Sequence, residues 1–190
     1  MLHHAAGLGH CDSIRLLIAK GAEIDAKLPD DDPSLGRTPL HLMAERNHGA
    51  ALALLLEKGA GVNLADSNGM TALDLAALFD HCGPMRTLIS KGAEIDHEGV
   101  AAPLHYAAMR NHPAAVEILL ESGASINARE GSGATALHFA ARYGHCDVIR
   151  VLLAPGTADV SATENKGRTA LQVAAANQMG DAVRLLLAEA

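Results

Sequence analysis

Between Thr38 and Gly59 the apolar positions fall into two short runs, each at helical spacing, with a polar step between them. This pattern predicts one helix from about Pro39 to Arg46 and another from about Ala50 to Lys58, the latter carrying Leu52, Leu55 and Leu56 on one side. The Thr38 hydroxyl is placed to cap the first helix, and Pro39 fits its first turn, where a missing N–H costs nothing. Asn47, like Gly9 and Gly144 in the same slot, tolerates a left-handed turn, so the chain reverses and the two helices run antiparallel. Gly59 closes the second helix, as Gly21, Gly92, Gly123 and Gly156 close others. Beyond it, Val62-Asn63 and Asp66-Ser67-Asn68-Gly69 read as two extended arms around a turn.

The pattern recurs. Thr38-Pro39-Leu40-His41 returns as Thr71-Ala72-Leu73-Asp74, Ala102-Pro103-Leu104-His105, Thr135-Ala136-Leu137-His138 and Thr169-Ala170-Leu171-Gln172, at intervals of 33, 31, 33 and 34 residues. Leu2-His3 supplies an earlier, incomplete copy 38 residues before Leu40-His41. A unit of this length on this motif resembles the ankyrin repeat, and the resemblance covers the whole chain. It implies an all-α solenoid of stacked helix-turn-helix units joined by β-hairpin-like loops. Six repeats are expected, at about 1–37, 38–70, 71–101, 102–134, 135–168 and 169–190, in a single domain spanning 1–190. Each layer then buries its apolar residues against its neighbours instead of around one centre.

Composition narrows the function. A net charge of −7 argues against general affinity for nucleic-acid phosphates. The longest strongly apolar runs, such as Ala50 to Leu56, fall far short of the roughly 20 residues of a membrane span, and Leu2-His3-His4 is no basic start to a signal peptide. A cytoplasmic protein is expected, with the nucleus as an alternative, and reduced cysteines fit either compartment.

Eleven His and three Cys suggest metal or acid–base chemistry until their register is noticed. Counting each motif Thr as position one, His3, His41, His105 and His138 stand at position four, and His10, His48, His81, His112 and His145 at position eleven. Cys11, Cys82 and Cys146 all stand at position twelve, in alternate repeats. Helices packed about 8–10 Å apart put such cysteines about 20 Å from one another. That separation forbids disulfides, which need Cα atoms within about 7 Å, and keeps His-Cys pairs from pooling zinc ligands. The expected roles are therefore structural: small buried Cys, and His donating to neighbouring backbone. No metal and no cofactor is expected.

Departures from the repeat carry less. The first hairpin holds five extra residues, including Pro29-Asp30-Asp31-Asp32-Pro33, read as a solvated insertion over an acidic contact loop or weak cation site. In the third repeat Asp74 replaces the motif His, Pro84 enters near the start of the second helix, and the hairpin from Asp96 to Val100 is two residues short, so this repeat is expected to be the least regular. Asp12, Glu117, Asp147 and Asp181 are placed at the starts of second helices, where the helix dipole favours negative charge. The resemblance further makes Asn63 and Asn127 matches to hairpin asparagines of the kind that asparaginyl hydroxylases modify, with turn hydrogen bonding as the preferred reading.

In the ankyrin family, binding uses the hairpin tips and the outward positions of the first helix, on the concave side. Carried to this chain, the resemblance nominates Arg37, Arg46, Met70, Leu78, Phe79, Met109, Arg110, Arg142, Tyr143 and Arg168 as partner-binding residues. Arg37, Arg46, Arg110, Arg142 and Arg168 face one acid, Glu45, across these positions, an excess of basic charge on an acidic chain. Leu78, Phe79, Met109 and Tyr143 supply the apolar centre expected of an interface. The reading is a non-enzymatic protein-interaction module that takes an acidic or amphipathic protein segment, with no nucleic acid and no membrane. Two alternatives stay open. One is a regulatory or scaffold region excised from a larger protein, since the first unit lacks its Thr-Pro turn and the last stops at Leu185-Leu186-Leu187-Ala188-Glu189-Ala190; end leucines would then allow a monomer or a weak end-to-end dimer. The other is a small-molecule binder or enzyme with a pocket at repeats three and four; Asp74 and His105 occupy equivalent positions in adjacent repeats, as do His105 and His138.

Overall fold

The computed structural model describes residues 1–28, 36–97, 101–154 and 156–188. Among the described residues it forms helices α1 (Leu2–Gly7), α2 (Cys11–Ala19), α3 (Pro39–Glu45), α4 (Gly49–Glu57), α5 (Ala72–Leu78), α6 (Cys82–Ser90), α7 (Pro103–Met109), α8 (Pro113–Glu121), α9 (Ala136–Tyr143), α10 (Cys146–Leu153), α11 (Ala170–Ala176) and α12 (Gly180–Ala188). The two helices expected around Asn47 lie within one residue of their predicted ends. Pro29 to Pro33, and the end of the short hairpin at 98–100, lie outside the described residues.

Packing divides the chain into two compact units, Met1–Glu94 and Ile95–Ala190. In the first, α1, α3 and α5 pack side by side, and α2, α4 and α6 form a second row. In the second unit α7, α9 and α11 form one row and α8, α10 and α12 the other. Each helical pair is too thin to enclose a core, so its apolar side chains are covered by the next pair. Leu40, Met43, Leu52 and Leu55 of α3 and α4 are fully buried, as are Leu104 and Leu119 of α7 and α8. Covering each such leucine contributes about 1.5–3 kcal/mol. Alanine pairs, Ala76-Ala77, Ala107-Ala108 and Ala140-Ala141, are fully buried and let the first-row helices approach closely.

Loops between pairs are hairpin-like without becoming strands. The Asp66 N–H donates to the Met70 carbonyl at 2.8 Å, closing a turn through Gly69, and the same closure recurs from Glu130 to Ala134 at 3.1 Å and from Glu164 to Arg168 at 3.0 Å. One isolated antiparallel bridge, Thr163 to Thr169, is the most extended pairing among the described residues.

Several expectations need correction. The third repeat is not irregular in its helices: α5 and α6 have seven and nine residues, as α3 and α4 do. Asp74 substitutes well because its carboxylate accepts the Thr71 N–H at 2.8 Å and hydroxyl at 2.9 Å, and Pro84 falls in the first turn of α6, where no intrahelical bond is lost. Glu117 lies in the middle of α8, because that helix starts at Pro113; Asp12, Asp147 and Asp181 do open theirs. The cysteines are half-buried instead of buried, since position twelve is the first residue of α2, α6 and α10.

The reversal between paired helices is left-handed in all six repeats: Gly9, Asn47, Asp80, Asn111, Gly144 and Gln178 have φ of 67°, 60°, 57°, 59°, 70° and 61°. Gln178 is the poorest of these residue types for that conformation, which costs an ordinary L-residue about 1–2 kcal/mol. Gln178→Gly should therefore raise stability in urea unfolding by about 0.5–1 kcal/mol, after the extra chain entropy of Gly is subtracted.

Candidate functional site

The surface is set by what the motif residues do beneath it. At position four the Nδ1 of His41, His105 and His138 accepts the backbone N–H of Thr38, Ala102 and Thr135, at 3.1, 3.1 and 3.2 Å. A nitrogen that accepts is unprotonated, so the ring proton lies on Nε2. That Nε2 donates into the following hairpin, to the carbonyls of Met70, Ala128 and Arg168 at 3.0, 3.0 and 3.1 Å. One neutral imidazole thus caps its own helix and ties down the next loop. The Thr38 and Thr135 hydroxyls also turn to these Nδ1 atoms, at 2.8 and 2.9 Å, whereas the hydroxyls of Thr71 and Thr169 accept helix N–H groups. Burial holds all three imidazoles below their ordinary titration range, and the carbonyls they face offset this only in part.

Position eleven works in the opposite direction. The Nε2 atoms of His48, His81 and His145 donate back to the position-eight carbonyls of Gly7, Glu45 and Met109, at 3.1, 2.9 and 3.0 Å. Aromatic residues lie on two of these rings: Phe79 stacks on His81 at 6.0 Å, and Tyr143 on His145 at 5.7 Å. Phe79 and Tyr143 stay 42% and 46% exposed, so the fold orients them without enclosing them.

The nominated arginines divide into two sets. Arg37 is paired with Glu45 at 2.6 Å and Asp66 at 3.4 Å, and Arg168 with Glu164 at 2.5 Å. These pairs brace hairpins, and their partners Asp66 and Glu164 were not picked out by sequence reasoning, although both occupy the turn before a motif Thr. Arg46, Arg110 and Arg142 are exposed. Met70, Leu78 and Met109 are half-buried. Within the first unit, then, Arg46, Leu78 and Phe79 reach the surface, and within the second, Met109, Arg110, Arg142 and Tyr143. Hollows of the second unit include one of about 440 Å³ at Met109, Arg110, Tyr143 and His145, and one of about 170 Å³ walled in part by Phe139, Arg142 and Lys166.

A family model described as ankyrin repeats in three copies matches residues 2–99 and again 104–190. The chain belongs to the ankyrin-repeat family. It is an all-α repeat solenoid of the kind that generally mediates protein–protein interaction. Relatives include a putative palmitoyltransferase, ZDHHC13, of Danio rerio, 34% identical over 83% of this chain and 24% of its own length. Neurogenic locus notch homolog protein 1 of Homo sapiens is 35% identical over 69% of this chain and 5% of its own. B-cell lymphoma 3 protein homolog of Mus musculus is 30% identical over 76% and 33%. The chain therefore spans a third or less of these relatives' lengths.

In these ankyrin repeats the hairpin asparagines are braces. Asn63 accepts the Glu94 N–H at 2.9 Å and donates to the Gly92 carbonyl at 3.3 Å; Asn127 does the same with Asp159 at 2.8 Å and Thr157 at 2.9 Å. Turn bonding is thus their observed role. Among the described residues no helix is long and apolar enough to cross a membrane, and no group of three metal-ligating side chains gathers.

The three capping imidazoles link stability to pH. Their folded pKa values lie below the unfolded value of 6.5, so the unfolded chain binds more protons as pH falls. Their contribution is complete above about pH 6.5 and is lost as pH drops through the folded values. Gln already occupies this slot at Gln172, where it accepts the Thr169 N–H at 2.9 Å. The triple variant His41→Gln, His105→Gln, His138→Gln should therefore show a flatter fall in melting temperature between about pH 7 and pH 5 than the parent. An equally steep fall in both would locate the linkage elsewhere.

Proposed function

We propose that this chain is a non-enzymatic ankyrin module that holds an acidic or amphipathic segment of a partner protein, inside the cell. The observation that carries the reading is that Phe79 and Tyr143 remain nearly half exposed on stacked histidines, and that Arg46, Arg110 and Arg142 are exposed at the ends of first-row helices. Rigid aromatic, Met and Arg side chains are the types enriched where protein interfaces desolvate. In the first unit the contact set is Arg46, Leu78 and Phe79, with Arg37 and Met70 beside the hairpin. In the second it is Met109, Arg110, Arg142 and Tyr143, with Arg168 beside its hairpin. The position-four histidines do not favour catalysis: His41, His105 and His138 each use both nitrogens in bonds that hold the stack, leaving neither lone pair nor proton for a substrate.

The relatives are much longer than this chain, which favours the same module serving as the regulatory or scaffold region of a larger protein. Affinity capture from the source cell, followed by titration of the captured protein, tests the interaction. The double variant Phe79→Ala, Met109→Ala should weaken binding by about tenfold or more with an unchanged melting temperature. Unchanged affinity would overturn Phe79 and Met109 as contacts.

A further inference from the structure

The two units repeat one surface device with different residues, and the difference selects between them. Glu45, Arg46, Phe79 and His81 of the first unit correspond in register to Met109, Arg110, Tyr143 and His145 of the second. The aromatic-on-histidine stack and the histidine-to-carbonyl bond are common to both. In the first unit, however, the charges are used within the fold. Glu45 takes the Arg37 guanidinium at 2.6 Å, and Arg46 donates from Nη1 to the Gly7 carbonyl at 3.0 Å, lying so close over Gly7 that a Cβ there would stand 3.0 Å from the same nitrogen.

The second unit leaves the device open. Met109 replaces the glutamate with an uncharged, adaptable side chain, and exposed Arg110 edges the hollow of about 440 Å³ beside Tyr143. The smaller hollow, of about 170 Å³, adjoins it along the chain, since Arg142 walls one and Tyr143 the other. Lys166 adds a further cation there, and the acid of that hollow, Glu164, is occupied by Arg168 at 2.5 Å. The result is an apolar seat and a cationic notch walled by neighbouring residues of α9, on a chain of net charge −7.

We propose that the second unit carries the recognition site proper, and that its occupant is one short acidic segment of a partner protein, seating an apolar side chain against Met109 and Tyr143 and a carboxylate beside Arg142 and Lys166. This rests on the protein-interaction reading above and narrows it. The apolar seat supplies affinity, and the exposed cations supply selection and orientation, because exposed charge pairs alone are weak and screened by salt.

Selection of random dodecapeptides displayed on phage against the whole protein tests it, followed by titration of the enriched peptides against Arg142→Glu, Tyr143→Ala, Arg46→Glu and Phe79→Ala. Melting temperatures confirm that these exposed substitutions leave the fold intact. The expected consensus pairs an apolar residue with Asp or Glu within about two positions, and its affinity falls by about tenfold or more in either second-unit variant and by clearly less in either first-unit variant. An equal or larger loss in the first-unit variants, or a basic consensus, overturns the assignment while leaving the interaction reading in place. No enrichment, or no loss in any of the four, overturns both.

Discussion

Three layers of this protein depend on a neutral imidazole that faces two ways. At positions 41, 105 and 138 the ring accepts at Nδ1 from the residue that starts its own helix and donates at Nε2 to the next hairpin. A protonated ring would place a donor against the N–H of Thr38, Ala102 or Thr135, and a ring with its proton on Nδ1 would do the same. The bonds are buried, so losing one leaves unpaired backbone groups away from water, at about 1–3 kcal/mol each. In these three repeats the cap of the first helix and the tie to the next hairpin both depend on one tautomer. The position-eleven histidines complete the lattice in reverse, reaching back to the preceding layer.

Because those bonds lie beneath the surface, the surface is free to carry function. Phe79 and Tyr143 rest on rings that are already locked, so they are oriented at little entropic cost and still reach solvent. The cations show the same division of labour. Arg37 and Arg168 sit at hairpin ends and are drawn into ion pairs, Arg37 with Glu45 and Asp66 and Arg168 with Glu164, whereas Arg46, Arg110 and Arg142 sit at the ends of first-row helices and are exposed.

The helices, the left-handed reversals and the structural role of histidine are legible in the sequence because each has one strong local cause: apolar spacing, a residue type that tolerates positive φ, and a fixed register. The ion pairs were not legible. Glu164 meets Arg168 only after a turn has folded, and Asp66 meets Arg37 of the preceding hairpin only after adjacent repeats stack; nothing in their spacing separates these acids from solvated loop acids. Glu117 was misplaced because it stands three positions later in the repeat than Asp12, Asp147 and Asp181, although α8 starts just after its histidine as α2 and α10 do. Phe79 and Met109 fall in different compact units, so their nomination came from the repeat register alone.

Nitrogen chemical shifts of the imidazole rings, measured by NMR at neutral pH, test the central claim most directly. The account predicts that His41, His105 and His138 are all neutral with the proton on Nε2. Finding any of the three as imidazolium, or with the proton on Nδ1, would contradict it.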